Sequence, residues 1–159
     1  MRYQRHDTKV CVVDPENSAF FPGWTTADAS VTTGRGSRIE GIGRPRVEPS
    51  FVPTVVDAMI SVPDAASVAA ARWCSAVTGR LVGGSTGTAM WGALRLVASM
   101  RSAGTPGSVV TLLCDGGERY THTYYDDDWL AGQGIDIAPY TAALEKFAET
   151  GEWVEPLRR

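Results

Sequence analysis

The sequence predicts an α/β domain with a mainly parallel sheet flanked by helices, and three observations lead there. Short β-branched runs alternate with stretches of helical pattern. The runs are continuously apolar, as in strands covered on both faces. Glycine-rich turns follow two of them, where open α/β sheets place their ligands. The 159 residues, 43% hydrophobic and 21% charged, are enough to bury one core, so residues 1–159 read as a single domain.

The first strand is expected at Lys9-Val10-Cys11-Val12-Val13, ended by Asp14-Pro15. Asn17 to Arg38 is rich in Gly, Ser and Thr, lacks periodicity, and reads as a long excursion. A second strand is expected within Val55 to Val62, and Pro63-Asp64 then opens an alanine-rich helix that stops at Gly79, with Asp64 as its N-cap. Leu81-Val82 reads as a short strand, with Ser85 capping a helix to about Ser102 and Gly104 in the C′ position. Ser108 to Cys114 reads as a third buried strand, turned sharply by Asp115-Gly116-Gly117. Residues 124–159 read as a peripheral extension, with a helix from Tyr140 to Glu149 whose Ala143, Leu144, Phe147 and Ala148 share a face.

Composition narrows the function. Fifteen Lys and Arg stand against eighteen Asp and Glu, for a net charge of −3, and without a basic run there is no footprint for nucleic acid. No apolar stretch is long enough to span a bilayer and the first residues are polar, so the expected location is the cytoplasm. Cys11, Cys74 and Cys114, odd in number and widely spaced, read as reduced and mostly buried, Cys114 as an inert thiol behind its apolar run. His6 and His122 are too far apart in sequence to suggest a metal pair, and Asp126-Asp127-Asp128 reads as a solvated acidic turn, so no metal is expected.

Local physics leaves the glycine turns open. Gly83-Gly84-Ser85-Thr86-Gly87-Thr88 at a helix start suits an anion, because free N–H groups and the helix dipole converge there. A serine cap behind glycines is the plainer alternative. Gly41-Ile42-Gly43 lets backbone approach a ligand or simply permits a turn. Arg119 has a structural alternative to catalysis, in pairing with Glu118 or another nearby acid.

Three segments nevertheless occur in an order that resembles the fold-type II pyridoxal-phosphate (PLP) enzymes of the cysteine synthase and cystathionine β-synthase family. They are Arg38-Ile39-Glu40-Gly41-Ile42-Gly43, Leu81-Val82-Gly83-Gly84-Ser85-Thr86-Gly87-Thr88 and Asp115-Gly116-Gly117-Glu118-Arg119-Tyr120. The likeness implies the C-terminal portion of the tryptophan synthase β-like fold. It also implies that the Schiff-base lysine, the substrate loop and the phosphate loop precede the region present, with residues 1–7 ending the helix after that phosphate loop.

The resemblance implies PLP as cofactor, with Ser85 facing its pyridine nitrogen and leaving that nitrogen largely unprotonated. Gly83, Gly84, Thr86, Gly87, Cys114 and Asp115 would lie around the ring. Gly41, Ile42 and Gly43 would line the substrate side. A proline commonly stands in this family where Cys114 stands here, while Asp115 resembles the acid of the cystathionine β-synthase branch. Neither Lys9 nor Lys146 stands in a segment like the family's lysine motif, so no catalytic lysine is expected in this chain.

The implied function is therefore the C-terminal subunit or fragment of a β-replacement or β-elimination enzyme acting on a small amino acid such as an activated serine. It would be inactive alone, and partnered by an N-terminal-half chain, by copies of itself, or by both. The alternative is a non-catalytic relative that pairs with and regulates a full-length enzyme.

Overall fold

The computed structural model describes residues 7–156. His6 and the expected helix end at residues 1–6 lie outside them. Two strands, β1 (Cys11–Pro15) and β2 (Ala58–Val62), pair in parallel with Cys11 opposite Ala58 and Pro15 opposite Val62. The helices are α1 (Phe20–Thr26), α2 (Asp64–Thr78), α3 (Gly84–Ser102), α4 (Asp127–Gly132) and α5 (Ala138–Thr150). The α/β class and the parallel pairing are as expected.

Strand β1 lies two residues later than predicted. Lys9 stays outside it, its side chain 81% exposed and 4.0 Å from Asp57. Asp14 turns inward instead of ending the strand: its buried carboxylate accepts the Phe21 amide at 2.9 Å. Burial pushes that carboxyl up from its ordinary value, an effect its bonds to Ser18 and Phe21 oppose. The same bond steadies α1, a helix the excursion conceals because it carries Pro22 and Gly23 and no side-chain cap.

Helix α2 begins with Pro63 in the capping position and Asp64 as its first helical residue. Asp64 is not a cap, because its buried carboxylate is turned to Arg38, whose Nε donates at 3.1 Å. Burial raises this carboxyl too, against the pull of Arg38. Gly79 ends the helix in the left-handed region, as expected. Helix α3 likewise starts earlier than predicted, with Gly83 as N-cap and Ser85 inside the first turn. Gly87 N donates to Gly83 O at 3.2 Å and closes that turn without a side-chain cap. Beyond the other end of α3, Gly104 takes φ +61°.

Helices α2 and α3 pack closely because small residues face one another. A Cβ on Gly87 would overlap the Ser67 carbonyl oxygen and come within 2.9 Å of the Ala71 side chain. Thr88 Oγ1 donates to Ser67 Oγ at 2.7 Å in the buried seam. The main core gathers Val62, Ala66, Ala69, Ala70 and Trp91 with Ala143 and Leu144 of α5. Residues 124–156 thus carry a wall of the core: Trp91 is fully buried with its ring edge-on to Tyr140 at 5.5 Å and to Trp153 at 4.8 Å.

Two expected strands do not form. Leu81-Val82 contributes only a single antiparallel bridge, Val82 to Gly116. Residues 108–114 form no strand and are not buried: Val110 is 89% exposed, Leu112 74% and Leu113 56%. A β-branched run becomes a strand only beside a partner that takes its backbone bonds, and β1 and β2 bond each other. Among the described residues no helix is long and apolar enough to cross a membrane.

Candidate functional site

The first turn of α3 is nearly bare backbone. Gly83 and Gly84 are buried, and a Cβ on Gly84 would press within 2.9 Å of the Tyr124 ring and 3.1 Å of Ile39. A Cβ on Gly83 would overlap the Asp115 carboxylate. Gly83 N donates to Asp115 O at 3.0 Å, and Thr86 Oγ1 accepts the Cys114 amide at 2.8 Å. These two bonds tie the second motif to the third.

Asp115 stands between two hydroxyls. Ser85 Oγ donates to its Oδ1 at 3.4 Å, and the Tyr120 phenol donates to its Oδ2 at 2.7 Å. Tyr120 is buried while Asp115 is exposed. Burial first, and next the bond to Asp115, holds the Tyr120 phenol well above its ordinary value. The convergence of N–H groups at this helix start, read as suited to an anion, already has a protein carboxylate beside it.

The upstream motif is fastened to the same place. Tyr124 stacks on Tyr120 with ring centroids 4.8 Å apart, donates its phenol to Arg38 O at 2.9 Å and accepts the Glu40 amide at 3.0 Å. Arg119 Nη2 meets Glu40 Oε1 at 2.6 Å, so the acid it pairs with comes from the first motif rather than from Glu118. Ile39, buried at 1%, packs with Tyr120 and Tyr124, and Ile42 lies against the same cluster. Gly43 takes φ +75° where a Cβ would press on Pro15 and Ser37, while Gly41, at φ +86°, faces open space. The turn therefore needs glycine, and it brings the loop to the C-terminal end of β1.

All three motifs thus meet at one corner of the fold. Within that corner Gly87 faces away, into the α2 seam, so close helix packing accounts for it. Cys114 is exposed, not buried, because its run forms no strand; Cys11 is half-buried and Cys74 buried, and all three are free thiols. Lys9 stands before β1 and Lys146 is exposed on α5. Asp126 caps α4 by accepting the Trp129 amide at 2.7 Å, and Asp127 pairs with Arg72, so the acidic turn is a helix start. Among the described residues no group of three or more His, Cys, Asp or Glu could hold a metal.

Tyr120, Tyr124 and Glu40 carry much of this corner, yet sequence reasoning gave them no role. Tyr120 ends the short 3-10 helix Glu118–Tyr120 and Tyr124 lies in the turns that follow, so no helical periodicity signals that the two rings stack.

Comparison with known proteins identifies the family and the fold. The family model for the pyridoxal-phosphate dependent enzymes matches residues 1–115. The chain is 58% identical over 153 residues to the L-cysteine desulfhydrase Cds1 of Mycobacterium tuberculosis, covering 96% of this chain and 42% of that one. It is 40% identical over 88 residues to a putative cysteine synthase of Sinorhizobium fredii, covering 55% of this chain and 25% of the relative. In fold it is similar to the crystal structure of O-acetyl serine sulfhydrylase isoform 3 from Entamoeba histolytica, with a TM-score of 0.64 at 24% identity over 91% of this chain and 38% of that one. The chain spans less than half the length of each of these proteins. It belongs to the family of pyridoxal-phosphate dependent enzymes.

Proposed function

We propose that this chain supplies the ring-nitrogen side and the substrate-side rim of a PLP-dependent enzyme that breaks a bond at Cβ of a small amino acid. On this reading the lysine that carries the cofactor and the loop that holds its phosphate come from polypeptide outside these residues. The observation that carries the reading is the meeting of the three motifs, with Ser85 and Asp115 at the start of α3 and the Glu40 to Arg119 pair closing the corner beside them.

The donor set fits one side of the cofactor. A hydroxyl backed by a carboxylate is a suitable partner for a ring nitrogen. The same corner has little for a phosphate: Arg119 is engaged by Glu40, and Arg44 bonds the carbonyl of its own neighbour Gly43. When bound, the cofactor supplies the electron sink for bond cleavage at the substrate. This chain's contribution is then to orient the ring through Ser85, to keep the Asp115 side of that hydroxyl fixed through Tyr120, and to shape the substrate approach with the turn at Gly41 to Gly43. Neither Lys9, paired with Asp57 ahead of β1, nor Lys146 on α5 serves as the attachment point.

The 58% identity to an L-cysteine desulfhydrase supports L-cysteine as substrate, with release of its sulfur. The 40% identity to a putative cysteine synthase supports the related replacement reaction on an activated serine, which shares the loss of a β-substituent. The test is co-expression with the N-terminal portion of the M. tuberculosis relative, followed by assay of sulfide from L-cysteine. Sulfide release by the pair and none by this chain alone is the expected result. A pair that associates but turns over neither L-cysteine nor, assayed in parallel, an activated serine with sulfide would favour a non-catalytic binding role.

A further inference from the structure

We propose that Asp64, acting through Arg38, is a positioning residue for the substrate-side rim at Gly41 to Gly43. The inference rests on the reading above, in which that turn faces the substrate, and it gives a task to a buried charge that the proposed function leaves unused.

That charge is unfavourable where it stands. Asp64 is fully buried, its Oδ1 meets no hydrogen-bond donor among the described residues, and the charge of Glu16 opposes it. Helix α2 does not use it as a cap, since Pro63 holds that position. A buried ion pair adds little stability over apolar groups of the same size. What the Arg38 to Asp64 pair supplies is orientation.

The orientation falls on the segment that leads into the rim. Arg38 Nε donates to Asp64 Oδ2 at 3.1 Å, and Nη1 donates to the Gln133 carbonyl at 2.9 Å, just past α4. The Arg38 carbonyl accepts the Tyr124 phenol at 2.9 Å, and that phenol accepts the Glu40 amide at 3.0 Å. Between these ties Ile39 is buried. Arg38 to Glu40 are thereby fastened to the start of α2, to the end of α4 and to the turn that carries Tyr124. Gly41, at φ +86°, faces open space, whereas Gly43 is packed against Pro15 and Ser37. Where the rim stands is therefore set by the anchored residues on either side of Gly41. With Nε and Nη1 engaged by protein, Arg38 places the rim and does not itself hold the substrate.

The test replaces the pair by apolar side chains of similar size, Arg38→Met together with Asp64→Leu, so that no buried charge is left alone. Asp64→Asn, which keeps the shape and removes the charge, is the second variant should the first fail to fold. In this chain, amide exchange followed by NMR reads the Glu40 N–H, whose acceptor Tyr124 is untouched by either change. That amide should exchange about tenfold faster while the middles of α2 and α3 keep native protection. In the enzyme joined to the lysine-bearing portion, KM for L-cysteine should rise about tenfold with kcat within about twofold of native, because the rim moves and the reacting groups do not. A folded variant whose Glu40 amide exchanges at the native rate would overturn the inference alone, and a raised KM in that variant would make Arg38 a direct ligand instead. Faster exchange with KM unmoved, or a native pair without turnover, would overturn the reading that the turn faces the substrate, and the inference with it.

Discussion

Gly87 shows how one residue can carry two explanations of unequal weight. In the sequence it belongs to a cofactor-like glycine loop, but in space its missing side chain is what lets α2 reach α3 over the Ser67 carbonyl. Gly87→Ala should therefore destabilise by about 1–3 kcal/mol, as overpacking of a tight seam does, read as a lower urea midpoint. An unchanged midpoint would mean that the seam can open without cost. Tyr120 gives a prediction in pH. Because its phenol is held above the ordinary value of about 10, the stability it contributes is fully present below that pH and is lost as pH rises through the higher folded value. In a spectrophotometric titration Tyr120→Phe should remove part of the late-ionising phenol signal and leave the early part intact. Loss of early signal instead would contradict the buried, Asp115-bonded geometry.

Elements were legible where their information is local. The alanine-rich α2, the long α3 and the helix at Tyr140 to Glu149 all appear, because their periodicity and their stops at Gly79 and after Ser102 lie within the segment itself. The strands were legible only in part. Ala58–Val62 formed inside its expected range, but the run at 108–114 has the same β-branched character and no strand, since strands depend on a neighbour that sequence pattern does not supply. The caps were misplaced for a related reason: Asp64 and Ser85 look like caps, yet each side chain turns to a partner distant in sequence, Arg38 and Asp115. Of the site, the three motifs were legible through their resemblance to the family, and the structure brings them to one corner. The ties that hold them, through Tyr120, Tyr124 and Glu40, were not legible, because they join residues up to 86 positions apart. The exposed run also makes a prediction at this scale. Leu112 is 74% exposed, so Leu112→Lys should leave the fold of this chain intact by circular dichroism. If the run is covered by the rest of the enzyme, the same change should abolish co-purification with the lysine-bearing portion; association at native strength would place the interface elsewhere.

At the scale of the whole molecule, the described residues form an α/β unit in which α3 lies on the two-stranded parallel sheet and α2 packs between α3 and α5. It also holds an unusual amount of apolar side chain in water along one run, with Val110, Leu112 and Leu113 each more than half exposed. Exposed apolar stretches of this kind on soluble proteins mark surfaces that meet something. The corner proposed to meet the cofactor lies directly after that run in sequence, at Cys114 and Asp115, so a partner covering the run would arrive beside Ser85. This is the structural basis for reading the chain as one side of a shared site. The most direct measurement is the visible absorption spectrum of the species purified after co-expression with the N-terminal portion of the M. tuberculosis relative in the presence of PLP. The account predicts the absorption band of lysine-bound cofactor in the joined species and none in this chain alone. A colourless complex, or a lysine-bound band from this chain by itself, would contradict it.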